Sequence, residues 1–454
     1  MHWSRVVPLT VASAVTVAAV ATVVARHEYA HPSKAHSTAA APVTPPRPPV
    51  LAELTGSASP SAAAVTAALH TAVAGFPSGE RLAGTVIDVS TGATLWSRDP
   101  QAEMAPASTT KLITAAAALR ALGPDFKLTT STKQVGNVVY LIGGGDPTLV
   151  RTDTSTVIPT YPRPASLADL ASQTAAALSP GMPIHLRVDT SAWTGPTSAH
   201  GWQSNYVTEG DVTPPSPLEL DGGRLHSDDF DSERTPTPTA QAAEAFAALL
   251  RADGVTISGE VKAATAPPTA TSLASVASPP LSELVQRLLT ESDNDLAEAL
   301  GRAVAGSAGL PADFTDAAKA VVAQMAGLGV STTGISLFDT SGLSHDDRIA
   351  PAALVAVLRA AASTSEPDLR PIVEGLPVGG FTGTLADRYR GHQTSAGGGI
   401  VRAKTGTLTG VDTLAGLVVD GEGNLLAFAL MASGQDSESD VEAGLDRIAS
   451  TLEK

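Results

Sequence analysis

Ser108-Thr109-Thr110-Lys111 opens an Ala- and Leu-rich run that continues to Leu122 and stops at Gly123-Pro124. The pattern predicts a helix over 109–122 with Ser108 at its entrance. Positions three apart share a helix face, so the Lys111 amine can lie beside the Ser108 hydroxyl and take its proton when neutral. A helix N-terminus also offers unbonded backbone N–H groups and a positive dipole end, both suited to developing negative charge. Of the eight lysines in the chain, this is the one with serine three positions before it. Taken alone, the same residues also describe a capping serine with a solvent-facing lysine, because serine is a preferred cap.

Two further stretches carry chemistry. Of four asparagines, Asn294 is the one with serine two positions earlier, giving Ser292-Asp293-Asn294 between two helical patterns, Leu281–Leu289 and Ala297–Ala305. Such a loop can aim a hydroxyl at a proton relay and an amide at a carbonyl, although Ser, Asp and Asn also make ordinary turns. Lys404-Thr405-Gly406-Thr407 lies in a strand pattern, Arg402–Leu408. Alternation puts Lys404 and Gly406 on one face and Thr405 on the other. A cation with a hydroxyl suits a carboxylate and a glycine permits close approach, while a lysine at a sheet edge also discourages aggregation.

Each stretch occurs once, and they follow in the order nucleophile, loop, cationic strand. Together they resemble the penicillin-recognising serine enzymes, whose S-x-x-K, S-x-N and K-T-G motifs converge on one cleft. The resemblance implies Ser108 as the acylated nucleophile, Lys111 as its base, Ser292 as proton relay and Asn294 as amide contact. It implies Lys404, Thr405, Gly406 and Thr407 as the substrate-binding strand, with Lys404 and Thr405 holding a terminal carboxylate. The oxyanion hole is then the backbone N–H groups of Ser108 and Thr407. The gap from Ser108 to Ser292 is 184 positions, against 112 from Ser292 to Lys404, which leaves room for an insert that compact β-lactamases lack. With this insert the chain resembles the low-molecular-mass class C penicillin-binding proteins, the D-Ala-D-Ala carboxypeptidase/endopeptidase family. Further likenesses are Gly143-Gly144-Gly145-Asp146-Pro147-Thr148-Leu149, Asp339-Thr340-Ser341-Gly342-Leu343 and Gly383-Thr384-Leu385. The insert is relatively short for the family, and Asp339-Thr340 stands where an acidic-Gly pair is expected.

The resemblance implies a mixed α/β fold of the penicillin-binding-protein/β-lactamase type: an antiparallel sheet flanked by helices, plus an inserted β-rich domain. It implies removal of the terminal D-alanine from peptidoglycan stem peptides through an acyl-enzyme, D,D-endopeptidase cleavage by the same residues, and covalent inhibition by β-lactam antibiotics. A β-lactamase would share the three motifs, but no E-x-x-L-N pattern follows Asn294. A non-catalytic peptidoglycan-binding or sensor protein could keep the cleft, although retention of every reactive side chain argues against it.

Composition sets the outer limits. The 454 residues are too many for one core and suggest two or three domains. Hydrophobic residues make up 43% and aromatics 4%, so interiors are built from Ala, Val and Leu. A net charge of −16 repels polyphosphates and argues against nucleic acid as partner. The absence of cysteine excludes disulfides, thiolate nucleophiles and Cys-ligated metals. The ten histidines include no H-x-H or H-E-x-x-H spacing, and neither a metal nor a cofactor is expected.

Val6–Ala25 is an apolar run long enough to cross a hydrocarbon layer. It reads as a signal anchor or as a cleaved signal peptide with a small-residue site at Ala19-Val20-Ala21. Either places the bulk of the chain outside the cytoplasm, in the envelope. The expected organisation is a leader over 1–26, an Ala/Pro-rich tether over 27–56, a catalytic domain over 57–128 and 281–454, and an inserted domain over 129–280. A helix capped by Ser57 or Ser59 should run to Ala74. Strands are expected at Leu82–Val89, Ala93–Ser97, Thr413–Val419 and Leu425–Met431, with a closing helix from Asp436 to Leu452.

Overall fold

The computed structural model describes residues 60–152, 161–227, 229 and 232–454. The leader, the tether and the Ser57 or Ser59 cap lie outside the described residues. Among the described residues no helix is long and apolar enough to cross a membrane. The first half runs α1 (Ala62–Ala74), β1 (Arg81–Asp88), β2 (Thr94–Arg98), α2 (Thr110–Leu122), β3 (Thr129–Val135), β4 (Val138–Ile142), α3 (Leu167–Ala177), β5 (His185–Asp189) and α4 (Pro238–Ala252). The second runs β6 (Lys262–Ala263), β7 (Thr271–Ala277), α5 (Leu281–Thr290), α6 (Asn294–Ser307), α7 (Phe314–Gly327), α8 (Pro351–Ala361), α9 (Arg370–Gly375), β8 (Arg402–Leu408), β9 (Val411–Val419), β10 (Leu425–Ser433) and α10 (Glu438–Thr451).

One sheet has the order β2-β1-β10-β9-β8 and is antiparallel throughout. The closing strand β10 returns beside β1, so the two ends of the described chain meet in its centre, with Asp88 opposite Leu426 and Arg81 opposite Ser433. Both faces are covered, and the inner strands β1, β10 and β9 are accordingly almost continuous runs of buried residues. One face packs α2, α5, α6, α7 and α8; the other lies under α1 and α10, where Leu69, Phe428, Leu445 and Ile448 meet. Helix α2 is surrounded: residues 110–119 are all buried. A helix enclosed on all sides needs small residues where its neighbours approach, which is the place of Ala115–Ala118.

The second sheet, β6-β5-β4-β3-β7, belongs to the chain between α2 and α5 and has its own core around Leu141, Leu186 and Phe246. Its strands mix directions, since β4 and β5 run parallel. Two helices that strand-like patterning did not anticipate, α3 and α4, cover it; their Ala-rich sequences carry few large apolar side chains to mark a helical period. Helix α1 is capped by Ser61, whose hydroxyl accepts from the Ala64 N–H at 3.2 Å.

Candidate active site

Ser108 stands in a single 3₁₀ turn, Ala107–Thr109, that feeds directly into α2. Ala107 has φ +47°, the left-handed region that costs an alanine about 1–2 kcal/mol. Two glycines hold this turn in place. A Cβ on Gly342 (φ +86°) would lie 1.9 Å from the Ala107 carbonyl oxygen, and one on Gly406 would lie 2.9 Å from the Ser108 nitrogen. The strand β8 and the 339–343 loop therefore approach the turn more closely than any side chain permits. Gly342→Ala is expected to destabilise the protein by about 2–4 kcal/mol, through a forbidden dihedral and a backbone clash together. An unchanged denaturation midpoint would remove the close approach from this account.

Lys111, one turn along α2, is fully buried. Its Nζ donates to Ser108 Oγ at 2.9 Å, Asn294 Oδ1 at 2.5 Å and the Ser341 carbonyl at 2.8 Å. Burial lowers its pKa to about 8, and outweighs the opposing pull of Asp339, Asp293, Glu298 and Asp295. Asn294 is the first residue of α6, and Asp293 caps that helix by accepting from the Leu296 N–H. The Asn294 amide nitrogen donates to the Asp211 carbonyl at 2.8 Å. Its oxygen and nitrogen are therefore fixed in opposite directions, the nitrogen toward the 129–280 segment.

Ser292 has φ +59°. This turn carries its hydroxyl to Lys404, whose Nζ donates to Ser292 Oγ at 2.9 Å and to the Thr405 carbonyl at 2.8 Å. Lys404 is also fully buried, and burial together with the Lys111 charge holds its pKa well below the lysine range. Like-charge repulsion thus weighs on Lys404, while Lys111 is lowered by desolvation. The Lys404 amine is engaged by Ser292 and the Thr405 carbonyl, and β8 lines the cleft with Thr405, Gly406, Thr407 and Leu408. Thr405 Oγ1 donates to Thr384 Oγ1 at 2.7 Å, which brings the Gly383-Thr384-Leu385 turn into the site.

The cleft is large, about 1160 Å³, and receives Ser108, Ser292, Asn294, Thr384, Thr405 and Thr407 from one side. The 129–280 segment supplies the opposite wall through Gln203, Tyr206, Asp211 and Arg234. Sequence reasoning did not identify that wall, nor the Ser341 carbonyl, since a backbone acceptor leaves no mark in residue identity. Asp339 sets the position of Ser341: its carboxylate accepts from the N–H groups of Ser341, Gly342 and Ser344 and from Trp202 Nε1, at 2.7–3.1 Å. The Ser341 and Thr340 N–H groups also donate to Glu298 Oε1, while Glu298 Oε2 pairs with Arg302 in a buried bridge of 2.9 Å. These bonds hold Asp339-Thr340 without the glycine expected at its second position. Thr340 bonds the Ala297 carbonyl and packs over Gly301.

Residues 65–233 and 229–452 match the D-Ala-D-Ala carboxypeptidase 3 (S13) family. The chain is 37% identical to carboxypeptidase DacB of Mycolicibacterium smegmatis, over 99% of this chain and 98% of that protein. It is 30% identical to a D-alanyl-D-alanine carboxypeptidase of an Actinomadura species, over 77% of each. Among solved structures, penicillin binding protein 4 (dacB) from Haemophilus influenzae superposes with a TM-score of 0.71 at 24% identity, over 85% of this chain and 98% of that one. The architecture is thus the penicillin-recognising α/β fold, and the chain belongs to the D-Ala-D-Ala carboxypeptidase 3 (S13) family.

Proposed function

We propose that the cleft removes the terminal D-alanine from peptidoglycan stem peptides with Ser108 as nucleophile and Lys111 as its base. The carrying observation is the environment of the Lys111 amine. A neutral amine keeps two N–H bonds, and Asn294 Oδ1 and the Ser341 carbonyl accept both, which turns the lone pair toward the Ser108 hydroxyl at 2.9 Å. Ser108 Oγ attacks the carbonyl between the two D-alanines as its proton passes to Lys111. The C–N bond then breaks, D-alanine leaves with a proton, and water hydrolyses the ester on Ser108. The Ser108 and Thr407 N–H groups take the oxyanion. Ser292, held by Lys404, relays the proton toward the leaving amine, and Asn294 orients the peptide.

The carboxylate of the leaving residue is read by the Thr405 and Thr384 hydroxyls. Lys404 supports this reading from Ser292, whose Oγ it holds at 2.9 Å in the cleft. The same nucleophile reacts with β-lactams. A cleft open to residues from two parts of the chain also suits the cross-linked peptides of a D,D-endopeptidase. The work takes place outside the cytoplasm, with the apolar run 6–25 as leader or membrane anchor and 129–280 as the inserted domain.

The base must be neutral, so acylation should be lost as pH falls through the Lys111 pKa of about 8. We expect kcat/KM for a chromogenic β-lactam to rise about tenfold per unit below that pH and to level off above it. A flat profile between about pH 6 and 9 would count against Lys111 as base. Release of D-alanine from a pentapeptide tests the activity itself, and digestion of dimeric muropeptide tests the endopeptidase arm.

A further inference from the structure

Behind the cleft strand β8, strand β9 and helix α10 bring three carboxylates together. Asp412, Glu438 and Glu442 each offer an oxygen within 4.8 Å of the others. Two ligands bound to a common calcium ion at about 2.4 Å lie no more than about 4.8 Å apart, and each pair of these oxygens meets that limit. Like charges so close repel and are not a stable arrangement by themselves.

The second observation is the state of Asp412. Its residue is 6% exposed and its Oδ1 has no hydrogen-bond partner among the described residues. An orphaned carboxylate oxygen buried to that degree costs the fold about 1–3 kcal/mol or more unless something meets it. It belongs to the group that faces Glu438 and Glu442. The neighbouring cation, Arg388, meets only one of the three: it donates to Glu442 Oε1 at 3.0 Å and to Asp446 at 2.8 Å.

We infer that Asp412, Glu438 and Glu442 bind a hard divalent cation of the calcium type. All three donors are oxygens, which selects hard cations over zinc or copper. They come from two elements, one exposed to the cleft, which suits the larger and geometrically tolerant ion completed by water. The ion ties the start of α10 to β9, and Asp412 stands opposite Thr407 of β8, so it braces the strand that lines the cleft. Sequence spacing gave no sign of it, because Asp412 is 26 positions from the Glu438/Glu442 pair.

Calorimetric titration of the chelator-treated full chain with calcium chloride tests this. One ion per chain is expected, with a Kd of about 0.1–1 mM. A tenfold excess should raise Tm by about 1–2 °C, a shift that sodium chloride of equal ionic strength does not reproduce. Asp412→Asn should fold and lose both responses. Should that variant not fold, Glu438→Gln decides at an exposed position, where affinity should drop at least about tenfold. Absence of binding by the natural chain, an equal shift with sodium, or undiminished affinity in these variants would overturn the site.

Discussion

Ser108→Ala is expected to abolish covalent labelling by a fluorescent penicillin and to lower D-alanine release by about 10⁴–10⁶-fold, the range seen when a serine nucleophile is removed. The reasoning is local. Ser108 is partly exposed to the cleft, sits 2.9 Å from a buried amine, and precedes a helix whose N-terminus points at the same place. Removing one oxygen leaves Lys111 with Asn294 and Ser341, so the fold should change by well under the stability of the domain. Near-natural melting with lost labelling therefore isolates chemistry from folding. Intact mass before and after penicillin reads the same event as the addition of one acyl group. Undiminished labelling of the folded variant, at a single site elsewhere, would reject Ser108 as nucleophile.

The parts of the molecule legible in the sequence are those set by short spacing. The Ser108/Lys111 pair is three positions apart at one helix entrance, and strands β9 and β10 carry largely β-branched and apolar runs close to the observed limits. Side-chain direction at Lys404 was harder. Alternation separates it correctly from Thr405, but which face meets the cleft depends on the positive φ of Ser292, and nothing in Ser292-Asp293-Asn294 announces a left-handed serine. The Ser341 carbonyl and the Asp211 carbonyl are contacts made by backbone, equally available to any residue type. Both are reached from far along the chain, the first by Lys111 across 230 positions and the second by Asn294 across 83. Thr384 belonged to a recognisable turn, yet its partner Thr405 is 21 positions away across a bend. Tertiary packing, which periodicity does not encode, decides all of these.

Lys111→Met carries the second large effect, and a different one. Methionine nearly keeps the length and volume of the side chain but cannot accept a proton, so acylation should fall by about 10²–10⁴-fold, the usual contribution of general base catalysis. Unlike Ser108→Ala, this change also strips hydrogen bonds from buried acceptors, Asn294 Oδ1 and the Ser341 carbonyl. Each buried acceptor left unpaired costs about 1–3 kcal/mol. Opposing that loss, the variant no longer carries the desolvation cost of a buried amine below its pKa of about 8. These terms are of similar size, so stability should move by only a few kcal/mol, and the melting curve reads their balance. The residual rate discriminates between roles. A base that is missing leaves slow acylation that no longer rises toward pH 8, whereas a lysine that only positions Ser108 would leave the slope intact and lower the whole curve. Retention of the pH dependence in Lys111→Met would assign the ionising group elsewhere, with Lys404 next in line because burial and the neighbouring charge depress it as well.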